Sequence, residues 1–349
     1  MSRQIEEAMI AKRTMLQGAA AALIAPALTG AAAAAETTLR QDDLKPVIVE
    51  DGVSFELPGV RIGTAEYREG PTGCSVFHFP EGAVCEVDAR GGGPGLFGGY
   101  PRIDALFLSG GSLYGLEVGS GIASTILAQR KKTSVKDIAF VSGAIIYDFL
   151  RRDTLVYPDK RLGAAAYLAA VPGRYPVGAR GAGCSASVGQ LGSKRFVPDR
   201  GGQGCAVGKL GAASIGVFTV VNPLSAIFAE DGRLLRGYVD RQTGERHSLD
   251  DIIRNYPEEV GLIDSTAGGH TTITAVIVDK KIPAVELRQF GRQIHAAMAQ
   301  VIRPFHTPLD GDVLFSVSVG EEPLGFPAAI AAEVASGLAH QAIYSAVLT

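Results

Sequence analysis

The stretch Gly268-Gly269-His270-Thr271-Thr272-Ile273-Thr274-Ala275-Val276-Ile277-Val278 joins a glycine turn to a pair of threonines and a β-branched run. In that run Ile273, Ala275 and Ile277 fall on one face of a strand, and Thr272, Thr274 and Val276 on the other. A flexible turn feeding a strand that begins with a hydroxyl is what a self-cleaving chain needs. A cut before a Ser, Thr or Cys frees an α-amino group, which becomes the general base for the side chain beside it. Such an amine has a pKa of about 7.7–8.0, so near neutrality part of it is unprotonated and can take the hydroxyl proton. On the local pattern alone the stretch also fits any strand of a β protein, because threonine is enriched in strands.

Other residues bear on the same chemistry. Asp310 and Asp312 stand two apart around Gly311 and could orient a threonine hydroxyl and its ammonium. By themselves they also describe a polar turn before a strand. They are too few oxygen ligands for a stand-alone calcium site. Tyr147 closes an apolar run and reads by default as a core tyrosine with a satisfied hydroxyl. His295 lies on a helical pattern as packing, and His306 is read as holding its loop, with no catalytic step assigned. Cys74, Cys85, Cys184 and Cys205 are far apart, without a Cys-x-x-Cys pair or zinc-type spacing. They read as small buried thiols, with a Cys74–Cys85 bridge left open for an exported chain.

These residues must be positioned by a chain of 349 residues, 46% hydrophobic and 20% charged, with a net charge of -3. That is enough length for a well-buried core. With no dense basic cluster interleaved with aromatics, nucleic acid is excluded as the expected partner. The 44 glycines imply many tight turns and close backbone approaches. Gly91 to Gly99 is glycine-rich but lacks the Lys-Ser/Thr end of a phosphate loop and the spacing of a dinucleotide fingerprint.

Residues 1–35 read as a leader. Lys12-Arg13-Thr14-Met15-Leu16-Gln17 precedes the apolar stretch Gly18 to Leu28 and an Ala-rich end at Ala31 to Ala35. This predicts a signal peptide, export to the bacterial periplasm and a mature chain starting near Glu36. The Lys-Arg-x-x-Leu-Gln core is similar to a twin-arginine signal with Lys for the first Arg. A cytoplasmic chain with a disordered Ala-rich tail is the alternative. The apolar stretch is too short and small-residued for a membrane span.

Along residues 36–349 the pattern predicts short strands from Val47 to Ala89, a buried strand from Ile103 to Ser109 and a helix from about Leu113 to Arg130. A strand from Ala139 to Tyr147 and a helix from Lys160 to Val171 follow, then a glycine-dense stretch to Gly211 and a strand from Leu210 to Asn222. Beyond a polar connection from Val239 to Asp264 come the threonine strand and a helix from Ala284 to about Ile302. Phe290, Ile294, Ala297 and Val301 mark the inner face of that helix. Leu314 to Val319 is a last strand and Ala328 to Val347 a last helix. No linker divides the chain, which predicts α+β layers around one core in a single catalytic domain, 36–349.

The ordered motifs resemble the P1 (S58) peptidases. They include Glu69-Gly70-Pro71-Thr72-Gly73, Val87-Asp88-Ala89-Arg90-Gly91-Gly92, Tyr114-Gly115-Leu116-Glu117 and Ile146-Tyr147-Asp148-Phe149. Tyr157-Pro158-Asp159-Lys160, Gly181-Ala182-Gly183, Asn222-Pro223, His270-Thr271-Thr272-Ile273 and Pro304 through Asp312 complete them. The family groups L-aminopeptidase/D-esterases, β-peptidyl aminopeptidases and 6-aminohexanoate-oligomer hydrolases, the last being the closest likeness. The resemblance implies a four-layer αββα sandwich of N-terminal-nucleophile-hydrolase type. It also implies self-cleavage between His270 and Thr271 into an α chain, 36–270, and a β chain, 271–349, that assemble as a homo-oligomer, usually a tetramer.

Carried over by position, Thr271 is the nucleophile, with Asp310 and Asp312 beside it, and Tyr147 and Asn222 line the site and hold the oxyanion. The oligomer hydrolases have Asn where His270 stands. Where the family has Lys, this chain has Gln190, so that Lys194 or another cation substitutes or the site is tuned differently. No cofactor or metal is implied. The expected substrate is a small linear amide or peptide, cleaved within the chain as a 6-aminohexanoate oligomer or from its amino end as by an aminopeptidase. An unprocessed binding protein is the competing reading.

Overall fold

The computed structural model describes residues 40–190, 193–260 and 269–349, and residues 39–349 form one compact unit. The signal-peptide reading of residues 1–35 lies outside the described residues. Among these, no helix is long and apolar enough to cross a membrane.

The fold follows from two parallel strand pairs. Strands β1 (Arg61–Tyr67), β2 (Thr72–Ala89), β3 (Arg102–Ser109) and β4 (Val141–Ile145) form one leaf, in which β3 and β4 are parallel. Strands β5 (Gly202–Leu210), β6 (Ala213–Asn222), β7 (Thr271–Val278) and β8 (Val313–Ser318) form the other, in which β7 and β8 are parallel. A parallel pair needs a long crossover, usually a helix on one face of the sheet. Helix α1 (Glu117–Arg130) makes the first crossover, joined by α2 (Lys160–Leu168). Helix α3 (Ala284–Met298) makes the second, and α4 (Ala328–Leu348) packs beside it. Each leaf thus has helices on its outer face.

The leaves are one ten-stranded hydrogen-bonded sheet turned on itself through β2. Residues Thr72–His78 of β2 pair with β1, and Val84–Ala89 pair with β8, with a register shift against β3 between His78 and Ala83. Three apolar clusters separate four layers. One joins α1 and α2 to the first leaf through Val118, Ile122, Leu162, Val76 and Phe107. The second lies between the leaves, where Phe77 meets Phe218 with ring centroids 5.1 Å apart. The third joins α3 and α4 to the second leaf through Phe290, Ile294, Ile343 and Val276. The alternation read from the sequence holds: Ile273, Ala275 and Ile277 face the other leaf, and Val276 and Val278 face the helices.

Several elements differ from expectation. Val47 to Ala89 contains the long β2, whose passage between leaves hides it as a series of short strands. The glycine-dense stretch contains β5, and the polar connection contains strands and the capped helix Leu249–Asn255. Helix α1 starts at Glu117 after a 3-10 turn over Ser112–Leu116, and α3 ends at Met298 with Ala297 only half-buried. The Cys74–Cys85 bridge is ruled out. Both thiols are free, and the two residues sit eleven apart along β2. That spacing is on the order of 30 Å, far beyond the reach of a disulfide.

Candidate active site

Three strand ends converge at Thr271. The antiparallel pairing of β6 and β7 sets Asn222 opposite Thr271. The parallel pairing of β7 and β8 starts at Ile273 and Val313, so the loop before β8 lies against the start of β7 and His270 bridges to Asp310. Tyr147 follows the end of β4, and its ring lies against Gly269, where a Cβ would come within 2.8 Å. The Asp148 carboxylate anchors that turn. It accepts from Thr72 Oγ1 at 2.5 Å and the Gly111 N–H at 3.0 Å, and it pairs with buried Arg152 at 2.8 Å. Tyr147, Asn222, His270, Thr271, Asp310 and Asp312 are thereby brought together, with Gln190 behind Asn222.

The bond between His270 and Thr271 is held from two sides. Gly311 N–H donates to the His270 carbonyl oxygen at 2.7 Å, and the Thr271 hydroxyl donates to the same oxygen at 2.5 Å. A backbone N–H aimed at a carbonyl oxygen is the donor that stabilises negative charge if that carbon is attacked. Asn222 spends its amide elsewhere: Nδ2 donates to the Tyr147 carbonyl at 3.1 Å and the Gly269 carbonyl at 3.3 Å. In the intact chain Asn222 therefore fixes the segment entering the bond and does not touch the His270 oxygen.

Gln190 is 3% exposed, so its polar atoms need partners within the protein. Its Nε2 donates to Asn222 Oδ1 at 3.0 Å and to the Ser187 carbonyl at 3.2 Å, whereas its Oε1 is buried without a partner among the described residues. A neutral amide thus does the donating that a lysine ammonium could do. Lys194 is exposed.

The two aspartates differ in surroundings. Asp312 receives the Thr272 N–H at 2.8 Å on Oδ1 and the His306 N–H at 3.0 Å on Oδ2. Asp310 accepts the Thr307 N–H at 3.1 Å and the Leu224 N–H at 3.3 Å. Burial, then the charge of Asp312, pushes the Asp310 carboxyl up to about 6. Burial also lowers the His270 imidazole to about 4, so it is neutral near pH 7. Two contributors escaped the sequence reading. Gly311 offers only a backbone N–H, which no residue type announces. The glycine-rich loop lacks a phosphate motif, yet the Arg90 and Gly93 N–H groups donate to the Asp312 and Asp310 carbonyls, both at 3.0 Å.

The architecture is that of the N-terminal-nucleophile hydrolases. The L-aminopeptidase D-Ala-esterase/amidase of Ochrobactrum anthropi, a variant of that fold, superposes with a TM-score of 0.61 at 14% identity, covering 86% of this chain and 87% of that one. A Burkholderia sp. β-aminopeptidase does so with a TM-score of 0.57 at 13% identity, covering 89% and 90%. Residues 55–349 match the family model of peptidase family S58, and the chain belongs to that family. It is 44% identical over 283 residues to a 6-aminohexanoate-oligomer endohydrolase of Agromyces sp. (strain KY5R), covering 80% of this chain and 79% of that one. Membership makes the protein a hydrolase of amide or peptide bonds.

Proposed function

We propose that the protein is a self-processing hydrolase that cuts its own His270–Thr271 bond and then uses Thr271 as the nucleophile on linear amides. The observation that carries this reading is the His270 carbonyl oxygen, held by Gly311 N–H at 2.7 Å next to the Thr271 hydroxyl. Thr271 Oγ1 attacks the His270 carbonyl carbon, and Gly311 N–H stabilises the charge on its oxygen. The carbon–nitrogen bond then breaks, the nitrogen takes the hydroxyl proton, and an ester joins His270 to Thr271. Water hydrolyses the ester and leaves Thr271 with a free amine. In the processed site this amine takes the hydroxyl proton as Oγ1 attacks a substrate amide, and returns it to the departing amine. A second water releases the acyl group.

The 44% identity to a 6-aminohexanoate-oligomer endohydrolase supports cleavage within linear amide chains. Residues 1–35 are read as an export signal, and the cleaved pairs as units of a tetramer. The test is hydrolysis of linear 6-aminohexanoate oligomers with free and acetylated amino ends, beside a Thr271→Ala control. Cleavage of both forms by the wild type alone supports an endo-acting hydrolase. Cleavage of only the free-amine form makes it an aminopeptidase, and no cleavage of either removes this substrate class.

A further inference from the structure

Four ionisable side chains run in file from the end of β2 to the candidate site. Asp88 Oδ2 meets His295 Nδ1 at 3.0 Å, and the His295 ring stands edge-on to the His306 ring with centroids 4.3 Å apart. His306 Nδ1 then meets Asp312 Oδ2 at 3.0 Å. A carboxylate has no proton to give, so in both contacts the imidazole donates from Nδ1. The Nε2 atoms of both rings are buried and have no partner among the described residues.

We propose that His306 is the positioning residue for Asp312, with His295 and Asp88 packed behind it to hold its ring in place. Two features separate this from ordinary loop packing. His306 donates both its backbone N–H and its Nδ1–H to the same oxygen of Asp312, each at 3.0 Å. It does so with φ at 60°, in the left-handed region that glycine adopts freely and that Asn, Asp and His adopt more often than other side chains. Phe305 also stacks on the ring, with centroids 3.8 Å apart.

With Oδ2 held, Oδ1 stays aimed at the Thr272 N–H, next to the candidate nucleophile. The adjacent Gly311 N–H stays on the His270 carbonyl. The inference rests on the reading of Thr271 as nucleophile. The charged and titratable groups facing the pair are Asp310 on the same loop, His270 before β7, His295 on α3, and Asp88 with its partner Arg90. Removing the imidazole N–H withdraws a donor from the Asp310–Asp312 pair, so the pair keeps its proton to higher pH.

The test follows self-cleavage of the refolded full chain against pH in wild type, His306→Gly and His306→Asn. Glycine suits the backbone but lacks the donor, whereas asparagine suits the backbone and can donate from its amide. We expect His306→Gly to fold, to cleave roughly ten-fold more slowly and to move its acid limb up by about half a unit. His306→Asn is expected to restore both rate and limb. Wild-type cleavage by His306→Gly with its limb unmoved, or a loss that asparagine does not rescue, overturns the proposal. The tautomer decides it independently. In ¹⁵N-histidine-labelled whole protein, the signal lost in His306→Gly should show Nδ1–H, and Nε2–H there overturns the proposal even if the wild-type chain is never cut. An uncut wild type by itself counts only against Thr271 as nucleophile.

Discussion

Gln190 is a neutral side chain buried directly behind Asn222. Its Nε2 donates to Asn222 Oδ1 at 3.0 Å, so replacement by Leu removes that donor and leaves the buried oxygen with the Ser187 N–H at 2.9 Å. Losing one neutral hydrogen bond costs about 0.5–1.5 kcal/mol, and here the loss falls on the segment entering the His270–Thr271 bond. We expect Gln190→Leu to slow processing by up to about ten-fold, read from the intact fraction on a denaturing gel. Gln190→Lys would add a cation near the amine that the proposed processing frees. A nearby positive charge disfavours the ammonium and lowers the amine pKa. The acid limb of substrate hydrolysis should therefore move to lower pH in Gln190→Lys. A limb that stays in place would mean that position 190 does not sense the amine.

At the scale of elements, the loop before β8 is set by the glycine-rich loop it lies on. A Cβ on Gly91 would overlap the Asp312 nitrogen and the Asp310 carbonyl, whereas one on Gly93 meets nothing within 4 Å. Gly91→Ala should therefore displace the Asp310–Asp312 loop and block processing, and Gly93→Ala should cleave as wild type does. Equal behaviour of the two variants, measured by cleavage half-time, would remove the loop from the account. The same pair shows what the sequence carried and what it did not. The alternation in β7, the helix faces and the ordered motifs were legible because period and residue type express them directly. Strand β5 was not, because its glycines reflect a contact elsewhere in the chain. A Cβ at Gly202 or Gly204 would overlap the Ala346 or Ala342 carbonyl of α4, which lies directly on that strand. The residues that gather at the site were readable from the family motifs, but their bonding was not. That Asn222 turns to the Gly269 and Tyr147 carbonyls depends on strand register, which one sequence does not encode locally.

Over the whole molecule, the proposed cut falls inside the sheet and not at its rim. Thr271–Thr349 supplies β7 and β8, bonded on one side to β6 and on the other to β2, together with the outer helices α3 and α4. Severing one peptide bond at the head of β7 removes none of these contacts. The two pieces should therefore co-elute in native size exclusion and part only in denaturant, and separation in native buffer would contradict the shared sheet. The most direct measurement is the intact mass, under denaturing conditions, of the purified chain beside its Thr271→Ala variant. We expect two fragments from the wild type, the smaller running from Thr271 to Thr349, and one uncut chain from the variant. A wild-type chain that remains whole, or one cut at any other bond, would contradict the assignment of Thr271 as a nucleophile made by the protein itself.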